Sequence, residues 1–517
     1  MHITQSLKRV LQLNPDGLAT MDGDRQHSWR EFSQRITCLA SGLRELGLES
    51  GDRVAILSLN SDRYFELVYA LPWAGLVSVP LNIRLAPAEL IFLLNDSGTK
   101  VLCVDKTFAP MLKAFEGNLE TVEKIVFMDD QDLEGAVNYE QLIAKSSAME
   151  DANAGGDDVA GIFYTGGTTG LPKGVMLTHS NLVANGLNAV HGFSFDTETR
   201  YLHAAPMFHA ADAAANIALT MLGGTHVFID KFDPVPVLET LAEYRVTNIT
   251  LVPTMVNMLI NVPGFDQYDL SALRRIGYGG SPMPEAVLQQ AQKLLPHVEF
   301  TQAYGMTELS PIITLLPPEY HCFDGPNAGK TRSAGCVVLS GEIKIVDSND
   351  QELSRGEIGE VIARGPMVMK GYWNREKETT DALKNGWMHT GDAGYMDEDG
   401  FVFIADRVKD MIISGGENVY SVEVENAVHQ HPAVATCAVI GIPSDEWGEE
   451  VIAVAVLHES AETTEQEIID FCREKIAGYK CPRQVKFVTE LPTSGAGKIL
   501  KNKVREPYWE GKTKNVN

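Results

Sequence analysis

The strongest constraint on the fold is an alternation of short apolar runs with helical segments through the first third of the chain. The apolar runs are RVAILSL (53–59), VSVPLNI (77–83), VLCVD (101–105) and KIVFMDD (124–130). Between them, residues 62–74 and 86–94 have the periodicity of helices. This alternation is typical of parallel sheets covered by helices, in which ligands bind at loops beyond the carboxyl ends of the strands.

The later part of the chain has a different pattern. Three segments predict β-hairpins, namely GEIKIVD (341–347), GEIGEVIARG (356–365) and GFVFIADR (400–407). From about residue 408 the pattern predicts a compact α+β tail. We therefore predict an α/β protein whose large N-terminal domain, 1–405, combines parallel-sheet α/β subdomains with a β-rich subdomain. A boundary at 406–409 separates it from a small α+β domain at 410–517.

Composition limits the classes of partner. The chain has 517 residues and a formal net charge of −26, which argues against broad electrostatic binding to nucleic acid or anionic lipid. A polyanionic substrate must therefore be met by local lysine, arginine and metal. The seven cysteines are scattered without a CxxC pair, which predicts reduced thiols and a cytoplasmic protein. Because no apolar run reaches 18 residues, we expect no integral membrane segment.

The stretch YTGGTTGLPKGV (164–175) follows an apolar run and gathers glycine and threonine around one lysine. Free backbone N–H groups in such a loop form a concave site for anions, and threonine hydroxyls and a lysine ammonium add donors. The stretch therefore predicts a phosphate-binding loop. It is not a P-loop, because Leu171 and Pro172 separate Gly170 from Lys173. A solvated turn is the alternative.

Other segments carry candidate ligands for a nucleotide. In QAYGMTE (302–308), the ring of Tyr304 is suited to stacking on a base and Glu308 to holding Mg²⁺; a core tyrosine and a surface glutamate are the alternative. Asp392, after a Thr-Gly turn, is suited to accepting both ribose hydroxyls. Lys498 lies in a Gly-rich loop that can deliver a point charge to a reacting phosphate, although most lysines near a C-terminus have no such role.

Two further segments have open interpretations. DRVKDMIISGGENVY (406–420) predicts either a hinge with an anion-binding arginine or a charged linker. The stretch after His209 is rich in small residues, which either line a cavity for an apolar tail or form a close-packed helix interface; they are Ala210, Ala211, Ala213, Ala214 and Ala215. We expect Asp212 to face solvent or a backbone N–H.

Taken in order, seven segments resemble the adenylate-forming superfamily of acyl-CoA synthetases, aryl-CoA ligases, beetle luciferase and the adenylation domains of peptide synthetases. They are YTGGTTGLPKGV, PMFH, GYGGSPMP, YGMTE, HTGD, DRVKDMIISGGENVY and SGAGKILK. The resemblance covers nearly the whole chain. It implies that the small C-terminal domain is mobile and turns about a hinge at 406–409.

The resemblance also implies roles for single residues. Catalytic roles fall to Lys498, His209 and Lys409. Mg²⁺ is implied at Glu308 and Thr307, and CoA at Gly415 and Gly416. The acyl pocket is implied at His209, Ala210, Ala213, Ala214, Gly279 and Gly305. The residues implied to bind ATP and AMP are Thr165, Gly166, Gly167, Thr168, Thr169, Gly170, Lys173, Gly279, Gly280, Ser281, Tyr304, Gly305, Thr307, Asp392 and Arg407.

The family's chemistry implies two half-reactions in one site. A carboxylate attacks the α-phosphorus of ATP, which releases pyrophosphate and leaves an acyl-adenylate. The small domain then turns, withdraws Lys498 and presents Gly415–Gly416 to CoA, whose thiol displaces AMP. The chain departs from the family at Ser421, where a proline is common, and we expect little effect there.

Two positions bear on the choice of acid. Acetate-activating relatives carry a tryptophan at the position matching Gly305, so the glycine leaves the pocket open. Amino-acid-activating domains carry an aspartate at the position matching His209, which argues against amino acids. We therefore expect a ligase for a medium- or long-chain fatty acid, with the acid, ATP and CoA as small-molecule partners; a homodimer is left open.

Three alternatives remain at this point. They are an aryl-CoA ligase of phenylpropanoid or feruloyl type, an acyl-AMP ligase that loads a carrier protein, and a nucleotide-binding regulatory protein on the same fold. The presence of Lys173, Glu308 and Lys498 disfavours the last of these.

Overall fold

The computed structural model describes residues 1–165, 172–407, 410–414, 417–444, 447–495 and 497–510, without the side chains of Arg407 and Asn418. Its helices are α1 (Thr4–Leu13), α2 (Trp29–Glu45), α3 (Asp62–Trp73), α4 (Pro87–Ser97), α5 (Leu112–Phe115), α6 (Tyr139–Lys145), α7 (His179–Gly192), α8 (Ala210–Leu222), α9 (Pro234–Glu243), α10 (Pro253–Ile260), α11 (Glu285–Leu294), α12 (Glu376–Ala382), α13 (Ser421–His429), α14 (Glu465–Arg473) and α15 (Lys501–Trp509). Within these residues, no helix is both long and apolar enough to cross a membrane.

The strands form four sheets. In chain order they are β1 (Leu18–Asp22), β2 (Arg25–Ser28), β3 (Arg53–Leu57), β4 (Val77–Pro80), β5 (Thr99–Val104), β6 (Lys124–Phe127), β7 (Val137–Asn138), β8 (Val159–Thr165), β9 (Lys173–Thr178), β10 (Arg200–His203), β11 (Thr225–Phe228), β12 (Asn248–Leu251), β13 (Arg275–Gly279), β14 (Glu299–Tyr304), β15 (Thr314–Leu316), β16 (Cys336–Val337), β17 (Glu342–Val346), β18 (Gly359–Arg364), β19 (Gly371–Tyr372), β20 (Leu383–Lys384), β21 (Trp387–Met396), β22 (Val402–Arg407), β23 (Ile412–Ser414), β24 (Glu417–Val419), β25 (Val434–Ser444), β26 (Gly448–Leu457) and β27 (Gln484–Phe487).

The predicted alternation in the first third of the chain builds a sheet of eight strands. Its order is β19-β9-β8-β4-β3-β5-β6-β7, and the run from β8 to β7 is parallel. The four predicted strands are β3, β4, β5 and β6, and the two predicted helices are α3 and α4. The prediction of parallel sheets covered by helices is confirmed.

A second sheet of nine strands has the order β16-β15-β14-β13-β12-β10-β11-β1-β2. Its central strands, from β14 to β1, are parallel. One hydrophobic core takes residues from both large sheets and from α2, α3, α7 and α8. Because helices fill the space between the sheets, the carboxyl ends of β8, β13 and β14 can contribute to one site.

The three predicted hairpin segments form part of an antiparallel sheet of β17, β18, β21, β20 and β22, as expected for the β-rich region. The C-terminal domain has its own sheet of β23–β27. Buried residues of α13 and α14 cover one face of that sheet, and Val504 of α15 lies on the other. The predicted fold class, a large α/β part with a β-rich unit and a separate α+β C-terminal domain, is therefore confirmed.

Candidate active site

The predicted phosphate loop connects two antiparallel strands. Thr165 at the end of β8 pairs with Lys173 at the start of β9, so the two ends of the loop are held side by side. The Nζ atom of Lys173 lies 5.0 Å from the ring centroid of Tyr372. Five predicted binding residues between these ends lie outside the described residues; they are Gly166, Gly167, Thr168, Thr169 and Gly170.

Glu308 is buried, with 6% of its surface exposed, in a short turn of helix at Thr307–Leu309. Its Oε1 accepts a hydrogen bond of 2.8 Å from the hydroxyl of Tyr372. Burial and the adjacent Glu308 carboxylate raise the pKa of Tyr372, so its hydroxyl stays protonated and donates. Tyr372 thus connects the candidate metal ligand to the lysine of the phosphate loop, a role that sequence analysis missed.

Two asparagines of α7 hold two neighbouring segments of the site, the loop that carries Glu308 and the segment at 366–368. Asn185 Nδ2 donates to the carbonyls of Leu309 (2.6 Å) and Ile312 (3.0 Å). Asn181 Nδ2 donates at 2.8 Å to the carbonyls of Pro366 and Val368. The position of Glu308 is therefore fixed from a helix between the two large sheets.

The oxygen ligands near Glu308 suit Mg²⁺. No cluster of three or more His, Cys, Asp or Glu side chains that could hold a metal occurs within the described part of the chain. Mg²⁺ commonly binds through one or two protein oxygens together with substrate phosphates. A buried carboxylate with the Thr307 hydroxyl beside it in sequence fits that mode of binding.

Glycines allow close backbone contacts where the base is expected. A Cβ added to Gly279 would lie 2.3 Å from the carbonyl oxygen of Ala303, and one added to Gly305 would lie 1.9 Å from that of Pro311. Gly280 has a φ of +83°, which favours glycine. Ser281 follows and is half-buried. Gly279 and Gly305 are therefore required by the neighbouring backbone, and Gly280 is favoured by its own positive φ.

Tyr304 and Asp392 meet at the end of β14. The hydroxyl of Tyr304 donates to Asp392 Oδ2 at 2.7 Å. The expectation that Asp392 follows a turn is wrong, because it lies inside β21, where the pairing with β18 shifts register. Thr390 Oγ1 accepts from the backbone N–H of Asp392 (3.1 Å) and donates to the carbonyl of Val361 (2.6 Å), which fixes this irregular segment.

Lys498 reaches the site from the C-terminal domain. A Cβ added to Gly280 would lie 3.0 Å from Cε and 3.8 Å from Nζ of Lys498. Two contacts hold the lysine loop on the large domain: Arg84 Nη1 donates to the carbonyl of Ser494 (3.0 Å), and Thr254 Oγ1 donates to that of Gly497 (3.3 Å). The structure therefore brings Lys498 to the predicted nucleotide-binding glycines.

The helix after the lysine loop is anchored by buried charges. Lys501, at the start of α15, lies 2.8 Å from Glu425 Oε1 and donates to the hydroxyl of Ser421. The backbone N–H of Ser421 donates to Asp406 Oδ2 at 2.6 Å. This bond joins Asp406, in β22, to the start of α13 in the small domain. A proline at position 421 would have no N–H and could not make it.

His209 lies directly before α8, close to the lysine. Its Nε2 is buried and has no hydrogen-bond partner among the described residues. Burial, and then the positive charges of Lys498 and Arg84, lower the pKa of His209 to about 4. The imidazole is therefore neutral near pH 7 and can accept or donate a hydrogen bond at the site of reaction.

The small residues of α8 serve helix packing. Ala214 and Ala215 belong to the large core, and α8 packs against α1 and α7. A Cβ added to Gly186 of α7 would lie 2.8 Å from Cγ2 of Ile217, so the two helices are in close contact. Ala210 is buried and Ala213 half-buried. The structure therefore places Ala214 and Ala215 in a close-packed helix interface, and their assignment to an acyl pocket stays a prediction.

The expectation for Asp212 is wrong. Its side chain is only 2% exposed, and Oδ1 lies 2.7 Å from Nδ1 of His203. Nε2 of His203 lies 2.9 Å from Nδ1 of His226, whose Nε2 lies 3.1 Å from Thr220 Oγ1. Sequence analysis missed this series of hydrogen bonds, because His203 and His226 lie in strands with apolar neighbours.

Several other predicted site residues lie outside the description. They are Lys409, Gly415, Gly416 and the side chain of Arg407. The backbone of Arg407 is described and pairs with that of Asp392 across β21 and β22. The arginine therefore lies beside the residue that is predicted to bind the ribose.

Comparison with family models gives matches over most of the chain. The model described as AMP-binding enzyme matches residues 7–373, and the model described as AMP-binding enzyme C-terminal domain matches residues 423–498.

Individual relatives align over almost their full length. A feruloyl-CoA synthase of an Amycolatopsis species is 39% identical over 503 residues, 97% of this chain and 98% of the relative. The long-chain-fatty-acid–CoA ligase FadD13 of Mycobacterium tuberculosis is 36% identical over 487 residues, 94% of each. Among solved structures, the anthranilate CoA ligase AuaEII in complex with anthranoyl-AMP has a TM-score of 0.92 at 28% identity, covering 98% of this chain and 97% of that chain.

Tyr372→Phe tests the contact with Glu308. The variant keeps the ring beside Lys173 but removes the hydroxyl that donates to the carboxylate, a bond to a charged group worth on the order of 1.5 kcal/mol. We expect the KM for MgATP to rise about tenfold, measured by pyrophosphate release. Tyr395→Phe, whose ring stacks on Phe403, is the matched control. Equal KM values for both variants would show that the contact has no role in nucleotide binding.

The pKa of His209 predicts a pH dependence of stability. In the unfolded chain this histidine protonates near pH 6.5, whereas in the folded chain it stays neutral down to about pH 4. The unfolded state thus binds the extra proton, and stability is lost as pH falls through this window. Relative to His209→Gln, the wild type should lose up to about 2 kcal/mol of unfolding free energy between pH 7 and pH 5, measured by urea denaturation. A difference that does not change with pH would place His209 in contact with solvent.

Proposed function

Because the chain belongs to the family of AMP-binding enzymes and is an AMP-forming acid–thiol ligase acting through an acyl-adenylate, we propose how its residues divide this chemistry. The large domain, 1–405, binds ATP and the acid, and the small domain, 410–517, supplies Lys498. The observation that carries the proposal is the position of Lys498 beside Gly280 and near His209. A lysine of one domain that reaches the glycines of the other is positioned for the first half-reaction.

In the first half-reaction, a carboxylate oxygen attacks the α-phosphorus of ATP and pyrophosphate leaves. Both reactants are negative, and the chain itself carries a net charge of −26, so local positive charge must offset their repulsion. Lys498 supplies this charge at the reacting groups, and Lys173, with the loop at 165–170, binds the leaving phosphates. Glu308 and Thr307 would hold the Mg²⁺ of MgATP, which supplies further neutralisation of the phosphates.

The nucleoside is bound by the neighbouring elements. Gly279, Gly280 and Ser281 lie beside the adenine, and Tyr304 stacks on it. Asp392 accepts from the ribose hydroxyls, and Arg407 pairs with it across the sheet. The tyrosine hydroxyl orients the Asp392 carboxylate through their 2.7 Å hydrogen bond.

In the second half-reaction the thiol of CoA attacks the acyl carbonyl and AMP departs. This step needs Lys498 withdrawn, which we assign to rotation about residues 406–409, with Lys409 at the pivot and Gly415–Gly416 facing CoA. The bonds from Asp406 to Ser421 and from Arg84 to Ser494 hold the arrangement described here. An acyl-AMP ligase that loads a carrier protein is the alternative, and CoA-dependent release of AMP distinguishes the two.

For the acid, we propose an aryl acid of feruloyl type in place of the medium- or long-chain fatty acid favoured by sequence alone. The alkyl interpretation depended on the open position at Gly305 and on the small residues of α8, and Ala214 and Ala215 of that helix lie in the large core, where α8 packs against α1 and α7. The feruloyl-CoA synthase is also somewhat more similar to this chain than the fatty-acid ligase FadD13, at 39% against 36% identity. The proposed pocket then begins at His209 and Gly305 and follows the inner face of α8, which is the face that carries Asp212 and Asn216.

A panel of acids tests the substrate class. Pyrophosphate release is measured with ferulate, benzoate, octanoate and palmitate, each with and without CoA. We expect the highest kcat/KM with ferulate and stimulation of turnover by CoA. A maximum at octanoate or palmitate would restore the fatty-acid assignment, and release independent of CoA would favour the carrier-protein alternative.

Lys498→Ala separates the two half-reactions. The variant should lose adenylation by at least about 100-fold, because the charge at the reacting groups is gone, while thioester formation from supplied acyl-adenylate remains close to wild type. Lys503→Ala, in the exposed part of α15, is the matched control. Equal loss of both half-reactions would contradict the role given to Lys498.

A further inference from the structure

The inner face of α8 carries polar atoms without partners. Within the described part of the chain, Nε2 of His209, Oδ2 of Asp212 and Oδ1 of Asn216 are buried and make no hydrogen bond. Spacings of three and seven residues place these side chains on one face of the helix. At a rise of about 1.5 Å per residue, Asp212 and Asn216 lie about 4.5 and 10.5 Å beyond His209 along the axis.

Another such atom lies on α3, within the electrostatic influence of Asp212. The hydroxyl of Tyr64 is buried without a partner among the described residues, and the side chain is 1% exposed. Burial, and then the charge of Asp212, raise the pKa of Tyr64, so the hydroxyl lies within the field of that carboxylate. Tyr64 and Asp212 therefore belong to one buried polar group.

With the hydroxyl of Tyr69 on α3, five buried atoms without partners among the described residues lie on α3, on α8 and on His209 directly before it, which is unusual. Buried polar groups in native proteins are nearly always hydrogen-bonded, because leaving them unpaired costs their desolvation energy. Here the unpaired atoms begin at His209, beside the reacting groups, and continue away from them. Such an arrangement is expected where a bound molecule supplies the missing partners.

The neighbours of Asp212 determine which partner fits. If His203 donates from Nδ1 to Asp212 Oδ1, its Nε2 accepts from His226 Nδ1–H, and His226 Nε2 accepts from Thr220. Burial, and then His203, hold the pKa of His226 well below its usual range, in keeping with a neutral ring. Asp212 then keeps Oδ2 as a free acceptor, and Asn216 presents another acceptor. A donor group is required opposite them.

We propose that Asp212, Tyr64 and Asn216 form a subsite for a hydroxyl group carried by the acid at the end remote from its carboxylate. The hydroxyl donates to Asp212 Oδ2, and Tyr64 completes the hydrogen bonding. This inference rests on the proposed function, since it deepens the assignment of an aryl acid. An unsubstituted ring or an alkyl end leaves the acceptors unpaired and is discriminated against.

The test compares acids that differ by one hydroxyl. Pyrophosphate release is measured with 4-hydroxycinnamate and with cinnamate, and the ratio of their kcat/KM values is the readout. A hydrogen bond to a charged acceptor predicts a ratio of at least about tenfold in the wild type. A ratio near one would overturn the subsite.

Tyr64→Phe is the main variant, because it removes only the hydroxyl. The ratio should fall severalfold through loss of kcat/KM for 4-hydroxycinnamate, with the value for cinnamate unchanged. Tyr139→Phe is the matched control, since it also removes one buried tyrosine hydroxyl, which donates to Glu66 Oε2 at 2.7 Å and makes no contact with Asp212. An equal loss for both acids in Tyr64→Phe would indicate a merely structural role and overturn the proposal.

Asp212→Asn is the second variant, and its thermal unfolding is measured to check that it folds. It should lower the ratio of kcat/KM for 4-hydroxycinnamate to that for cinnamate further than Tyr64→Phe does, because the charged acceptor is lost. Failure of the aryl assignment is a separate outcome, in which the kcat/KM for palmitate exceeds that for every aryl acid. The ratio of kcat/KM for 4-hydroxycinnamate to that for cinnamate still reports on the subsite in that case. A folded Asp212→Asn enzyme with an unchanged ratio would overturn the role of Asp212.

Discussion

The site depends on the amide side chains of α7 and the backbone carbonyls that they hold. Asn185 binds the loop after β14, and Asn181 binds the segment that leads into β19. The first loop carries Glu308 and the second carries Tyr372, whose hydroxyl contacts it. One helix between the two large sheets therefore holds the two segments that carry Glu308, the proposed metal ligand, and Tyr372, which lies beside Lys173 of the predicted phosphate loop. Buried amides suit this function, because each donates two hydrogen bonds and carries no charge.

Much of the architecture could be predicted from the sequence. The strands and helices of the first sheet are local patterns, and the loop motifs carry their chemistry in residue type and spacing. The contacts that orient the site residues are different. Asn185 and Leu309 are 124 residues apart, and Tyr372 and Glu308 are 64 apart. No local pattern indicates such a pairing, because it arises only when the sheets pack.

One open question and one error have clear physical causes. Small residues are required both by cavities and by close helix contacts, so the alanines of α8 had two interpretations and sequence alone could not choose between them. Asp212 was expected to face solvent or a backbone N–H, and a carboxylate paired with a buried histidine is rare in a core. The histidines that pair with it lie on two neighbouring strands, β10 and β11, and their register determines the contact. Both features depend on tertiary packing.

The contact at Gly305 has a consequence for how substrate range can change. A side chain at this position would meet the carbonyl of Pro311, a backbone atom that cannot rotate away. A single substitution here therefore disrupts the loop that carries Glu308 before it narrows any pocket. A shorter pocket requires the loop at 305–311 to be rebuilt together with the side chain. In evolution or in engineering, such a change is a concerted replacement of a segment.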